Sequence, residues 1–282
     1  MSVKFIGVAG SGVMGSGITE QAARAGFQVT LLSRAQSTAD KTVGRMAKSL
    51  AKRVEKGKLG ADERDEILGR VQGTDDPRDL EGCELVIESV VEDLDVKRKL
   101  FAKLDRVLPD NAVLATNTST LPVVELAMAT ERPDRVVGLH FFNPAPVLPL
   151  VEIVRAPTSS DAAARTAYEW AERAGKQPVN CNDTPGFIVN RILIPLLNDC
   201  VRVLDEARVT PEDLDKAMVN GAGWPLGPCA LVDLVGIDVH VHASEALYEK
   251  LREERMAPPE RLVAMQREGR LGRKTGAGFF SY

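Results

Sequence analysis

Short apolar runs alternate with amphipathic stretches through the first two thirds of the 282-residue chain, and this pattern predicts its elements. Residues 3–9 form a β-branched run that enters a glycine cluster. An apolar helical stretch follows to Gly26, and a second apolar run covers 28–32. Beyond it the spacing predicts helices over 39–58, 96–108, 121–129 and 162–174, and strands over 70–74, 85–91, 112–116, 135–142 and 150–155. The run at 85–91 is apolar enough to be buried on both faces, as strands of a parallel sheet are. Alternation of this kind predicts an α/β fold, a doubly wound and mostly parallel sheet.

The pattern changes near Asp183-Thr184-Pro185-Gly186. After it, 187–207, 210–220, 231–255 and 259–268 read as helices, with Pro211 and Gly221 as boundary signals for the second. The chain therefore divides into an α/β domain, 1–183, and an all-α domain, 184–282. Apolar stripes such as Ile188, Ile192, Leu196 and Ile194, Leu197, Val201 belong either to a core or to a subunit interface.

The glycine cluster reads Gly10-Ser11-Gly12-Val13-Met14-Gly15. A strand, G-x-G-x-x-G, a helix and a returning strand together make the first half of a Rossmann-type dinucleotide-binding unit. Gly10 permits the tight turn, Gly12 lets the backbone approach a pyrophosphate, and Gly15 lets helix and strand pack closely.

Composition narrows the function classes. Apolar residues make up 44% and charged residues 27%, ordinary values for a globular protein. With 36 basic and 40 acidic side chains the net charge is −4, which argues against a general nucleic-acid or membrane-surface binder. No run approaches the roughly eighteen apolar residues of a membrane span, and the immediate entry into a strand leaves no room for a signal peptide. Cys83, Cys181, Cys200 and Cys229 lack metal-type spacing. They read as reduced thiols of a cytoplasmic protein with no metal site.

Of three histidines, His240 and His242 lie two apart in a helical stretch and make a poor metal pair. His140 ends an apolar strand and so falls at the carboxyl edge of the sheet, where open α/β folds bind ligands. Glu152 on the next strand is its expected partner, since a carboxylate on one ring nitrogen fixes the tautomer and stabilises the imidazolium; the alternative is a simple ion pair. Lys48, Lys52 and Lys56 recur every four residues beside Ser49 and Arg53. That face is either solvated or a landing place for an anionic substrate handle.

Five motifs, in order, resemble the 3-hydroxyacyl-CoA dehydrogenases: the glycine cluster, Val86-Ile87-Glu88-Ser89-Val90-Val91-Glu92, Asn117-Thr118-Ser119-Thr120, Gly138-Leu139-His140-Phe141-Phe142-Asn143-Pro144 and Pro185-Gly186-Phe187-Ile188-Val189-Asn190-Arg191. The likeness runs through Leu271-Gly272-Arg273-Lys274-Thr275-Gly276 to the terminal aromatics and is greatest to the short bacterial 3-hydroxybutyryl-CoA dehydrogenases. The resemblance implies an NAD(P)-dependent oxidoreductase that moves a hydride between a nicotinamide and a short-chain 3-hydroxyacyl-CoA. It implies His140 and Glu152 as the acid/base pair, with Ser119 and Asn190 bonding the substrate oxygens. It places Gly10, Gly12, Val13, Met14, Gly15, Glu92, Lys97, Asn117, Ser119, Asn143 and Lys274 around the dinucleotide, to which the residues at the end of the second strand, Ser33 and Arg34, add a reading of their own. The resemblance also places Ser49 and Lys56 near coenzyme A, which makes the basic face they share with Lys52 a phosphate contact, and it implies a homodimer joined through the helical domain. An imidazole suits the proton transfer because its ordinary pKa, about 6.5, lies near working pH.

Two positions depart from the family pattern. Where relatives carry an Asp for the adenosine ribose, this chain has Ser33-Arg34. Loss of the carboxylate removes repulsion of a 2′-phosphate and Arg34 supplies a charge-assisted contact, so NADP is favoured over NAD; the alternative leaves Arg34 stacked on adenine or in solvent with NAD bound. Pro149 stands where a polar or basic residue is common and stiffens the approach to Glu152. The rival readings are a dehydrogenase of the same fold acting on a carrier-protein thioester or free hydroxy acid, and a dinucleotide-binding protein without activity.

Overall fold

A computed structural model describes residues 3–282, which divide into two compact units, 3–184 and 185–282. In the first, the strands among the described residues are β1 (Phe5–Ala9), β2 (Gln28–Leu32), β3 (Val71–Thr74), β4 (Leu85–Glu88), β5 (Val113–Thr116), β6 (Val136–Phe141), β7 (Leu150–Arg155) and β8 (Gln177–Asn182). They form one sheet in the order β3-β2-β1-β4-β5-β6-β7-β8. Every neighbouring pair is parallel except β6 and β7. Six helices pack with the sheet: α1 (Val13–Arg24), α2 (Gln36–Glu55), α3 (Ala61–Gly69), α4 (Leu94–Asp105), α5 (Val123–Ala127) and α6 (Asp161–Arg173).

This is the mostly parallel α/β architecture that the alternating pattern predicts. Strands β4, β5 and β6 are buried along their whole length, which explains why they read as mainly apolar runs with their polar residues, Glu88, Thr116 and His140, toward the carboxyl ends. The strand order reverses between β1 and β4, a topological switch point whose carboxyl edge is the ligand crevice of open α/β sheets.

Several boundaries differ from expectation for identifiable reasons. Strand β4 stops at Glu88 rather than 91 because its carboxylate accepts the Val90 N–H and turns the chain. Helix α4 begins at Leu94 because Asp93 caps it, accepting from Val96 N at 2.9 Å. Helix α3 and strand β8 were not anticipated. Of the residues in β8 only Pro178 is buried, as befits an edge strand, so it lacks an apolar signature.

The second unit contains α7 (Val189–Glu206), α8 (Pro211–Ala222), α9 (Pro228–Val235), α10 (Ile237–Leu251) and α11 (Glu260–Arg267). The single helix expected over 231–255 is instead two, α9 and α10. Gly236, at φ +102°, breaks it in a conformation that other residues rarely adopt. The core of this unit gathers Leu197, Val201, Val232, Ile237, Val241, Leu262 and Met265. Among the described residues no helix is long and apolar enough to cross a membrane.

Candidate active site

The carboxyl edge is built from the glycine loop upward. Gly10 has φ +128°, and a Cβ there would lie 2.3 Å from the Ser89 carbonyl oxygen. A Cβ on Gly15 would lie 1.9 Å from the Gly10 carbonyl oxygen, so neither position admits a side chain. Gly12 faces open space. It caps α1 with no side-chain bond and no acidic residue in the first turn, leaving the N–H groups of Val13, Met14 and Gly15 open toward an anion. This edge fits the pyrophosphate of a dinucleotide.

Gly10 N–H donates to the Leu32 carbonyl at 2.9 Å, tying the loop to the end of β2. There the Ser33 and Ser11 hydroxyls lie 2.6 Å apart. Arg34 is exposed and has no ion pair or side-chain hydrogen bond among the described residues.

The next loops are held by a buried charge network. Glu88 and Lys97 have side-chain exposures of 0% and 1%, with Lys97 Nζ at 2.7 and 2.9 Å from the two carboxylate oxygens. Thr116 Oγ1 also donates to Glu88, at 2.7 Å. Lys97 reaches Glu92 at 3.2 Å. Glu92 in turn accepts from the Thr118 hydroxyl and from the N–H groups of Ser119, at 2.9 Å, and Thr120, at 3.2 Å. Desolvation raises the Glu92 pKa, but the Lys97 charge and the bonds from Thr118 and Ser119 outweigh it and hold the carboxyl below its ordinary value.

The structure thus gives Lys97 a different place from an open cofactor contact: its ammonium is enclosed, and it bears on the site through Glu88 and Glu92. Glu92 itself clamps the turn that carries Ser119. The Ser119 hydroxyl has no hydrogen bond among the described residues, so it is available to a ligand. Asn117 Oδ1 accepts from Phe141 N at 2.8 Å and fastens β6 to the same loop. Glu88 was not singled out in the sequence, although a carboxylate ending an apolar strand signals a buried partner. Lys97 shares the buried stripe of α4 with Phe101 and Leu104, which was that partner's signal.

His140 and Glu152 occupy paired positions on β6 and β7. Both are buried, and Nδ1 lies 2.6 Å from the Glu152 carboxylate. The Phe142 ring stands 4.5 Å from the imidazole, centroid to centroid. Cys181 on β8 is no rival nucleophile: partial burial, with the negative charges of Glu152 and Asp183, pushes its thiol up to about 12. Asn143 is exposed just beyond β6.

On α2, Ser49 and Lys52 are exposed, and Lys56 is the exposed residue that ends the helix. None of the three is paired among the described residues, whereas Arg53 is drawn to Glu20 at 3.1 Å. Asn190 and Lys274 lie in the second unit. Asn190 stands in the first turn of α7 with its side chain free of hydrogen bonds among the described residues, and Lys274 pairs with Asp238.

Fold and site together define a Rossmann-type α/β protein with a histidine–carboxylate pair at its ligand edge, followed by a helical unit. Residues 5–184 match the model of the 3-hydroxyacyl-CoA dehydrogenase NAD binding domain, and residues 186–282 that of the 3-hydroxyacyl-CoA dehydrogenase C-terminal domain. The 3-hydroxybutyryl-CoA dehydrogenase of Mycobacterium tuberculosis is 46% identical over 283 residues, covering 100% of this chain and 99% of that one. Human mitochondrial hydroxyacyl-coenzyme A dehydrogenase is 38% identical over 290 residues, covering 99% and 91%. The crystal structure of (S)-3-hydroxybutyryl-CoA dehydrogenase PaaH1 from Ralstonia eutropha superposes with a TM-score of 0.95 at 36% identity, covering 100% and 99%. The chain belongs to the 3-hydroxyacyl-CoA dehydrogenase family.

Proposed function

We propose that the protein interconverts short-chain 3-hydroxyacyl-CoA and 3-oxoacyl-CoA, with (S)-3-hydroxybutyryl-CoA and acetoacetyl-CoA as the substrate pair and NADP favoured over NAD. The observation that carries the reading is the buried His140–Glu152 pair on the carboxyl edge that also bears the glycine loop. Family membership supplies the reaction class.

A nicotinamide dinucleotide held at the glycine loop through its pyrophosphate would supply the hydride acceptor or donor for the substrate 3-carbon. His140 does the proton work. With Nδ1–H donated to Glu152, the other ring nitrogen, Nε2, carries the lone pair that takes the 3-hydroxyl proton in oxidation and gives it back in reduction. Glu152 keeps the ring in that tautomer and balances the imidazolium. Ser119 and Asn190 donate to the substrate oxygen and polarise the carbonyl.

Lys52 and Lys56, with Ser49, meet the coenzyme A phosphates. At the end of β2, the unpaired guanidinium of Arg34 and the Ser33 hydroxyl receive a 2′-phosphate, and no carboxylate at either position opposes it. The reading includes a homodimer joined through the helical unit, supported by exposed apolar side chains there, Ile192, Leu234 and Val239 among them.

The test is the rate of cofactor oxidation with acetoacetyl-CoA, measured with NADPH and NADH across concentration series. A higher kcat/KM with NADPH supports the whole reading. Better use of NADH retires the NADP preference and keeps the reaction, and no oxidation of either overturns the proposal.

A further inference from the structure

Lys176 is a lysine enclosed among main-chain carbonyls, at 6% exposure. Its Nζ donates to the carbonyl oxygens of Ala145, at 2.5 Å, and Leu148, at 3.0 Å. It has no carboxylate partner among the described residues. Burial lowers its pKa, and the positive charge of Arg24 lowers it further. An ammonium in such a place gains little stability for the fold, because desolvation opposes the bonds it makes. What it does provide is position.

The two carbonyls belong to residues 142–149, the connection between the strand that carries His140 and the strand that carries Glu152. Pro144, Pro146 and Pro149 have no N–H to donate. Val147 and Leu148 N–H both return to the Pro144 carbonyl, at 2.9 and 3.0 Å, which closes a local turn without anchoring it to the sheet. Lys176 supplies an anchor, and the next residue adds a second, Gln177 N–H donating to the Pro149 carbonyl at 2.8 Å. The connection also rests on α1, where a Cβ on Gly17 would stand 3.1 Å from Pro146 Cδ and 3.2 Å from Ala145 Cβ. That is the helix whose N-terminus forms the glycine loop.

We propose that Lys176 is a positioning residue that locks the 142–149 connection against the sheet and α1, and so sets Asn143 and the start of β7 for dinucleotide binding and turnover. The kinetic part rests on the dehydrogenase reading above; the lock itself does not.

The experiment compares Lys176→Met, which keeps the length and loses the donors, with Lys176→Arg, which keeps the charge and donors. Hydrogen exchange of peptides covering 144–150 reads the lock. Equilibrium titration with NADPH and with NADH, and kcat and KM with acetoacetyl-CoA, read its consequence. In Lys176→Met, exchange in that segment rises about tenfold while the other sheet peptides hold, and dinucleotide affinity and kcat each fall about tenfold, as expected for loss of a charged hydrogen-bond donor. Lys176→Arg recovers most of both.

Unchanged local exchange in Lys176→Met overturns the lock, whatever the enzyme's activity. So does exchange that rises throughout the unit with affinity, kcat and KM per folded molecule intact, since that marks a purely structural residue. Faster local exchange with unaltered affinity and kinetics overturns the positioning role.

Discussion

His140 and Glu152 face each other across the antiparallel pair of the sheet, so strand register sets the contact between imidazole and carboxylate. Adjacent strands place directly paired side chains on one face at short range, and a one-residue slip of either strand would turn its member of the pair to the opposite face. Glu152→Gln preserves this geometry but replaces an obligate acceptor with an amide that can also donate, loosening the tautomer. The expected result is a fall in kcat of about 10²- to 10⁴-fold with cofactor KM little changed. His140→Asn should fall at least as far. Steady-state kinetics with acetoacetyl-CoA checks both, and an active Glu152→Gln enzyme would falsify the proton-transfer scheme.

Cofactor choice should reside at the end of β2. Arg34→Ala is expected to lower kcat/KM for NADPH about tenfold or more, the effect of losing a charge-assisted hydrogen bond, while leaving NADH nearly unaffected. Ser33→Asp should turn the preference toward NADH by repelling the 2′-phosphate. Equal losses with both cofactors in Arg34→Ala would remove that side chain from phosphate recognition.

The Glu88–Lys97 pair predicts a strong asymmetry between single and double substitution. Lys97→Met leaves the Glu88 carboxylate buried without its counter-charge and should cost about 3–5 kcal/mol in urea unfolding. Adding Glu88→Gln to it removes the uncompensated charge and should return part of that loss. Additive losses would show that the two groups are not energetically coupled.

His240 makes stability depend on acid pH. It is buried in the helical unit, with Nε2 2.8 Å from Asn198 Oδ1, and Nδ1 has no partner among the described residues. Burial lowers its pKa from 6.5 to about 4. Below pH 6.5 the unfolded chain therefore binds a proton that the folded one refuses. The associated stability is complete above about 6.5, declines as pH falls, and is gone by about 4. Between pH 7.5 and 5.5 this contributes a loss of about 1 kcal/mol. His240→Gln should flatten the pH dependence of urea unfolding by that amount, and parallel curves for variant and wild type would refute the assignment.

Charge reversal on α2 distinguishes thioester types. Lys52→Glu with Lys56→Glu should raise KM for acetoacetyl-CoA about tenfold and spare acetoacetyl-pantetheine, which lacks the adenosine phosphates. An equal effect on both substrates would mean that the lysines do not meet phosphate.

Legibility in the sequence followed the physics of each feature. The glycine loop was readable because close backbone contacts impose glycine at 10 and 15 and an open, ligand-facing position leaves it at 12, and β4 to β6 because burial on both faces leaves mainly apolar letters. Strand β8 was not readable: an edge strand with polar alternate positions satisfies its ladder with backbone groups and needs no apolar pattern. The break at Gly236 hid inside an otherwise helical composition, where a lone glycine signals only weakly. The ion pair of Glu88 with Lys97 was not read, since nine residues separate a strand end from the buried stripe of the next helix, and Lys176 was missed because it pairs with carbonyls that carry no sequence identity at all.

At the glycine loop, Ser89 O, Gly10 and Gly15 stack backbone on backbone, each layer within a Cβ's reach of the next. Two segments distant in sequence, the loop 10–15 and Ser89 at the end of β4, therefore share one clearance. A methyl group at Gly15 would push α1 away from the turn at Gly10, and one at Gly10 would push that turn away from the end of β4; either displacement would carry the open N–H groups of α1 away from the anion they face. Ligand affinity and fold integrity are consequently inseparable at this point: there is no substitution at Gly10 or Gly15 by which drift or selection could weaken the one while sparing the other.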